Sequence, residues 1–255
     1  MLKPGLVSIT FRKLSPEAIV ALVSEAGLHG IEWGGDVHVP HGDTARACEV
    51  RRLTAGAGLA VAAYGSYYRA GVEGGVPFAA VLDSALALGA PLIRIWAGDR
   101  GSEGADDAWR ARVAAAIRDA CERAAPHGVR IATEFHSHTL TDTTESALRL
   151  LDEVGHPSLL SYWQPPTGWP QAQLEESLGR ILPRLANLHV YQWDDAGNRW
   201  PLRAGLPSWT PLVKKVRDLR PDLEAYAMIE FVREDTPDAF REDAAALREL
   251  LAVAG

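Results

Sequence analysis

Eight short runs rich in β-branched and aromatic residues alternate along this 255-residue chain with longer Ala- and Leu-rich amphipathic stretches. Strand then helix, repeated, is the pattern of a parallel sheet, because parallel neighbours need a crossover rather than a tight turn. The strand candidates fall at 6–10, 30–33, 60–64, 92–96, 130–135, 159–163, 187–192 and 225–231. Helix ends are written between them. Ser15, Pro16 and Glu17 supply an N-cap, a first-turn proline and an acid, and Gly27 suits a left-handed C-terminal cap. Thr236, Pro237 and Asp238 open the last helix in the same way, while Gly89 and Gly128 stand where the third and fourth helices should stop.

Eight βα units in this length match a closed (β/α)8 TIM barrel, typically about 250 residues, so residues 1–255 are read as a single α/β domain. An open doubly wound sheet would ask for a glycine-rich phosphate loop after its first strand, and residues 8–14, SITFRKL, contain no glycine.

Composition narrows the function classes. Twenty-six basic against thirty-three acidic residues leave a net charge of −7 with no basic run, so nucleic acid and anionic membranes gain no electrostatic support as partners. The first ten residues hold one Lys and a Pro-Gly pair and do not read as a signal peptide or a span. Cys48 and Cys121 lie far apart in helical-period segments, which argues against a disulfide framework or a thiolate zinc site. A cytoplasmic protein is the expectation, and a homo-oligomer is compatible with it.

Barrel active sites lie at the C-terminal ends of the strands. Four polar residues stand there in apolar surroundings: Glu134, Gln164, His189 and Glu230. Taken singly, a strand-end Glu pairs with an Arg such as Arg94 or Arg130, and a lone His is a hydrogen-bonded core residue. Four consecutive strands with such a residue at equivalent ends point instead to one divalent ion. Three oxygens and an imidazole nitrogen suit Mn2+ or Mg2+, with Co2+ or Zn2+ also admissible. Aromatic rings gather near the same ends, and these either stack on carbohydrate C–H faces or pack loops onto the barrel. From them and their polar neighbours, Glu32, Trp33, His38, Tyr64, Trp96, His136, Trp163 and Trp193 are expected to contact the substrate. Arg94 is expected to satisfy a buried carboxylate.

In AGLHGIEW (26–33), LALGAPLIRIWAG (86–98), HGVRIATEFH (127–136), LHVYQW (188–193) and MIEF (228–231), the whole chain resembles the xylose isomerase-like superfamily. That group includes tagatose epimerase, hydroxypyruvate isomerase, inosose dehydratase and endonuclease IV. The resemblance implies a metal held by Glu134, Gln164, His189 and Glu230, with Glu134 and Glu230 moving a proton on a small sugar or keto-polyol. Gln164 departs from the family's Asp, and Thr167 stands where relatives tend to place a His. Isomerase or epimerase is the first expectation, a keto-polyol dehydratase on the same metal the second, and a sugar-binding barrel without catalysis the third. A repair nuclease is disfavoured, because AAYGSYY and RIWAG lack the extra His ligands of its metal cluster.

Overall fold

The computed structural model describes residues 1–253. Eight strands close into one parallel barrel in chain order: β1 (Leu2–Val7), β2 (Gly30–Gly34), β3 (Ala60–Arg69), β4 (Leu92–Trp96), β5 (Arg130–Thr133), β6 (Leu159–Trp163), β7 (Leu185–Val190) and β8 (Ala225–Ile229). Each is followed by a helix: α1 (Pro16–Glu25), α2 (Thr44–Gly56), α3 (Phe78–Leu88), α4 (Asp107–Ala124), α5 (Thr144–Val154), α6 (Gln171–Ile181), α7 (Leu202–Leu219) and α8 (Pro237–Val253). The chain therefore folds as a (β/α)8 barrel. No helix among the described residues is long and apolar enough to cross a membrane.

The capping signals act as the residues suggest. Ser15 Oγ accepts from the Ala18 amide at 3.4 Å, and Thr236 Oγ1 accepts from the Ala239 amide at 3.3 Å. Gly89 and Gly128 both take φ +73° at helix ends. One strand begins earlier than its sequence suggests. Lys3, Pro4 and Gly5 have little strand propensity, yet β1 starts at Leu2 because it pairs with β8 from Leu2 against Ala225, and residues 8–11 coil into a 3-10 turn. Pairing on both sides outweighs local preference here.

Apolar packing forms two layers. Val7, Ile9, Ala63, Leu92, Ala132, Tyr162, Ala186 and Met228 cluster within the barrel, while a far larger cluster fills the space between barrel and helices. Crowding inside is severe: a Cβ on Gly5 would stand 2.9 Å from Met228 Cγ. Such a packed interior leaves the strand ends as the place for a site.

Candidate metal centre and active-site cavity

Alternate residues of a strand face opposite sides of the sheet. Inward parity therefore selects Glu32 on β2, Arg94 and Trp96 on β4, Glu134 just past β5, Tyr162 and Gln164 at the end of β6, His189 on β7 and Glu230 just past β8. Backbone hydrogen bonds continue the ladder past the strand ends and fix two of these positions: the Glu134 amide donates to Ile95 O at 3.0 Å and the Glu230 amide to Val190 O at 3.1 Å.

Three oxygens converge on one nitrogen. Gln164 Oε1 lies 2.9 Å, Glu230 Oε2 3.3 Å and Glu134 Oε1 3.4 Å from His189 Nδ1. One ligand atom from each of Glu134, His189 and Glu230 lies within 4.8 Å of the others, and all three residues are buried. A single N–H can satisfy only one of these acceptors, so the arrangement has the form of a cation site rather than of a hydrogen-bonded core histidine.

Beneath it runs a buried ionic network. Arg94 Nε donates to Glu32 Oε1 at 2.6 Å, and its Nη1 donates to Glu134 Oε2. Trp96 Nε1 donates to the same Glu134 oxygen. Tyr162 Oη donates to Glu32 Oε2 at 2.7 Å and accepts from Asn187 Nδ2 at 3.0 Å. Gly65 makes room for this network, since a Cβ there would lie 2.7 Å from Glu32 Oε1 and 2.8 Å from Arg94 Nη2. Glu134 is thus split between two tasks: Oε2 is bound by Arg94 and Trp96, and Oε1 faces His189.

Charge counting gives the strongest constraint. Glu32, Glu134 and Glu230 are buried carboxylates and Arg94 is a buried guanidinium, so three negative charges meet one positive and two negatives remain when His189 is neutral. Buried charge without compensation is expensive. A divalent cation on the Gln164, His189, Glu134 and Glu230 atoms would balance the set. The proton affinities carry the same message. Burial opposes the charged form of His189, but Glu230, Glu134 and Glu32 overcome it and hold the imidazole's pKa well above its ordinary value. Burial likewise opposes ionisation of Glu32, yet Arg94, His189 and Tyr162 bring it down to about 2. Glu134 lies far below the usual carboxylate range, where Arg94 and the nearby histidines outweigh burial. On the far side of the His189 ring, Nε2 has no hydrogen-bond partner and stands 3.7 Å from Glu32 Oε2. A carboxylate behind a histidine is the usual second support of a metal-bound imidazole.

Above the four donors opens a cavity of about 850 Å³, lined among others by Arg12, Tyr67, Trp96, His136, Tyr191, Trp193 and Phe231. That volume suits a small ligand. His136 packs against Trp96, with ring centroids 4.7 Å apart. Its Nδ1 is 2.7 Å from the Ser137 carbonyl oxygen, which only accepts, so the neutral ring carries its proton on Nδ1 and keeps the Nε2 lone pair. Tyr67 and Phe231, both at the cavity wall, have φ of +53° and +55°, a conformation that costs non-glycine residues energy and gathers at functional sites.

Several residues expected at the substrate lie elsewhere. Trp33 and Trp163 point outward to the helices: Trp33 Nε1 donates to Thr54 on α2 at 3.1 Å, and Trp163 Nε1 donates to Ser177 on α6 at 3.0 Å. Tyr64 is turned away as well, its Oη donating to Val39 O at 2.8 Å. His38 is buried against Ser8, 2.9 Å from Oγ, and is not part of the cavity wall. Glu32 supports the site from below, through Arg94. Trp96, His136 and Trp193 do line the cavity, together with Glu134, Gln164 and Glu230. Strand parity was the available signal, because Trp33 adjoins inward Glu32 and Trp163 adjoins inward Gln164. Arg12, Tyr191 and Asp142 also line the cavity. Arg12 sits after the 3-10 turn (Ser8–Phe11) that follows β1, and nothing local in the sequence marked it.

Comparison with known proteins agrees with this architecture. Residues 20–250 match the family model described as xylose isomerase-like TIM barrel. A 3-dehydroshikimate dehydratase of Bacillus anthracis is 29% identical over an alignment of 175 residues, with coverages of 59% of this chain and 59% of that protein's length. The crystal structure of a probable 3-DHS dehydratase from Bacillus anthracis superposes with a TM-score of 0.80 at 23% identity, covering 97% of this chain and 99% of the other. An L-ribulose 3-epimerase structure gives 0.75 at 15% identity, with coverages of 100% and 96%.

Proposed function

The chain belongs to the xylose isomerase-like TIM barrel family, and from that premise we propose that it is a metal-dependent enzyme that removes a proton beside the carbonyl of a small hydroxylated ketone and expels a hydroxyl as water. The observation that carries this reading is the convergence of Gln164, Glu134 and Glu230 oxygens on His189 Nδ1, in a buried set left with two excess negative charges when His189 is neutral, at the floor of the cavity. Glu134, Gln164, His189 and Glu230 would hold the ion, Mn2+ or Mg2+ being the best fit to this oxygen-rich set. When bound, such an ion supplies Lewis-acid polarisation of the substrate carbonyl.

Dehydration is preferred over epimerisation because of what holds Glu134. A two-base epimerisation needs a second carboxylate free to take a proton, and Glu134 is clamped by Arg94 and Trp96 and held far below the usual carboxylate range. Elimination needs one base that can also serve as an acid. His136 offers an Nε2 lone pair at the cavity wall. It takes the carbon-bound proton there and returns one to the departing hydroxyl, which closes the proton balance. Trp96 keeps the ring in place. Likeness to a 3-dehydroshikimate dehydratase supports the same reaction class.

Epimerisation or isomerisation is the second reading, supported by the way Glu134 and Glu230 approach His189 Nδ1 from β5 and β8 at nearly equal distances. Incubating Mn2+-loaded protein with 3-dehydroshikimate, ketoses and inososes in deuterated water separates the readings. The expected result is an absorbing, dehydrated product from a cyclic hydroxy-ketone, lost in His136→Gln. Deuterium incorporation into a ketose without water loss would replace it with epimerisation. Binding without any exchange would leave a non-catalytic barrel.

A further inference from the structure

Of the two arginines that line the cavity, Arg94 is committed to Glu32 and Glu134 and is fully buried. Arg12 is held differently. Its Nε donates to Asp36 Oδ2 at 3.0 Å and its Nη2 donates to Tyr67 Oη at 2.6 Å, while the guanidinium lies 5.7 Å from the Phe231 ring centroid. Nη1 has no protein partner among the described residues. A planar cation is therefore pinned on two sides and left with donors facing a cavity.

Both pinning groups on the cavity side are themselves constrained. Tyr67 and Phe231 occupy left-handed backbone conformations. Tyr67 packs edge-on to Trp96 at 5.5 Å between centroids, and burial pushes its phenol up to about 12, so it stays a neutral donor and acceptor rather than becoming an anion against Arg12. Strain of this kind persists where surrounding contacts demand it.

We propose that Arg12 is the specificity-determining residue that binds a carboxylate of the substrate. This rests on the reading of the cavity as a substrate site and adds the substrate's charge. One guanidinium fork matches one carboxylate in shape and charge. A phosphate dianion would meet a single such cation here, with Asp142 and Asp195 also on the cavity wall, and would be poorly compensated. The proposed ligand is thus a small hydroxylated ring or chain bearing one carboxylate, with its carbonyl end at Glu134, Gln164, His189 and Glu230 and its acid end at Arg12.

The test uses shikimate and its methyl ester, which have the same ring and differ in charge, titrated calorimetrically into Mn2+-loaded protein. Wild type should bind the acid roughly 10- to 100-fold more tightly than the ester, the range expected of a hydrogen-bonded charge pair. Arg12→Gln should erase that preference, and Arg12→Lys should retain part of it. Mn2+ affinity and the melting profile should stay those of wild type in both variants, which separates charge recognition from general damage. Equal affinity for acid and ester in wild type would overturn the proposal, as would tighter binding of inorganic phosphate than of shikimate, or a preference unchanged by Arg12→Gln. Acid preference with no turnover of 3-dehydroshikimate would instead leave Arg12's role standing and remove the dehydratase reading.

Discussion

Replacing Arg94 by Met keeps much of the side-chain volume and removes the guanidinium that Glu32 and Glu134 share. Glu32 and Glu134 are then left buried without their shared partner. Breaking one side of a buried ion pair costs about 3–5 kcal/mol. The structure supports that size from a second direction. Holding Glu32 at about 2 instead of its ordinary 4.5 corresponds to about 3 kcal/mol of stability at neutral pH. For a protein of this size each kcal/mol shifts the melting temperature by about 2–4 °C, so a loss of roughly 10 °C is expected. The sign of the pH dependence follows as well. A carboxylate with a depressed pKa stabilises above its unfolded value, and that stability is lost as pH falls from 4.5 through about 2. In Arg94→Met the same carboxyl groups gain protons more readily when folded, so the gap between variant and wild type should narrow on acidification. Near-ultraviolet circular dichroism melts of chelated protein at about pH 7 and about pH 4 read both effects. A variant melting within about 2 °C of wild type at neutral pH, or a gap that does not shrink in acid, would refute the reasoning.

Further outcomes follow from other contacts. Gln164→Glu adds a carboxylate at constant length, so Mn2+ affinity should rise by roughly tenfold or more while metal-free stability falls, measured by calorimetry and melting; unchanged affinity would exclude Gln164 as a ligand. Asp243 accepts from the Leu202 amide at 2.7 Å, and burial raises its carboxyl to about 6. The folded form therefore keeps a proton that the unfolded chain releases above 3.8, and wild type should lose up to about 3 kcal/mol as pH rises through that window, a loss absent in Asp243→Asn. Trp163→Ala should cost about 3–5 kcal/mol of stability with little change in KM, because the ring packs on Trp209 outside the cavity. Trp193→Ala should do the opposite, since its ring stacks on Tyr191 at 4.2 Å along the cavity wall.

Much of the fold could be read from residue order. Strand-helix alternation and end signals such as Ser15 and Gly89 are local, and the closed barrel follows from their number. Polar residues at strand ends are local features too, which is why Glu134, Gln164, His189 and Glu230 could be named together before their geometry was known. Long-range pairing is not local: β1 begins at Leu2 only because β8 lies beside it. The aromatic residues were harder for a related reason. A Trp at a strand end looks alike in sequence whether it faces substrate or helix, and only the parity set by an inward neighbour separates Trp96 from Trp33. Arg12 was hidden by a different effect, since its importance depends on Asp36 arriving from the loop after β2 and Tyr67 from the end of β3.

Anomalous scattering from a crystal soaked in Mn2+ tests the central claim most directly. A single strong peak should appear about 2.2 Å from His189 Nδ1 and from one oxygen each of Glu134, Gln164 and Glu230. Glu32 should remain behind the histidine and Arg94 should stay on the second oxygen of Glu134. An ion seated elsewhere, or no ion and no calorimetric binding at millimolar Mn2+, would contradict the account.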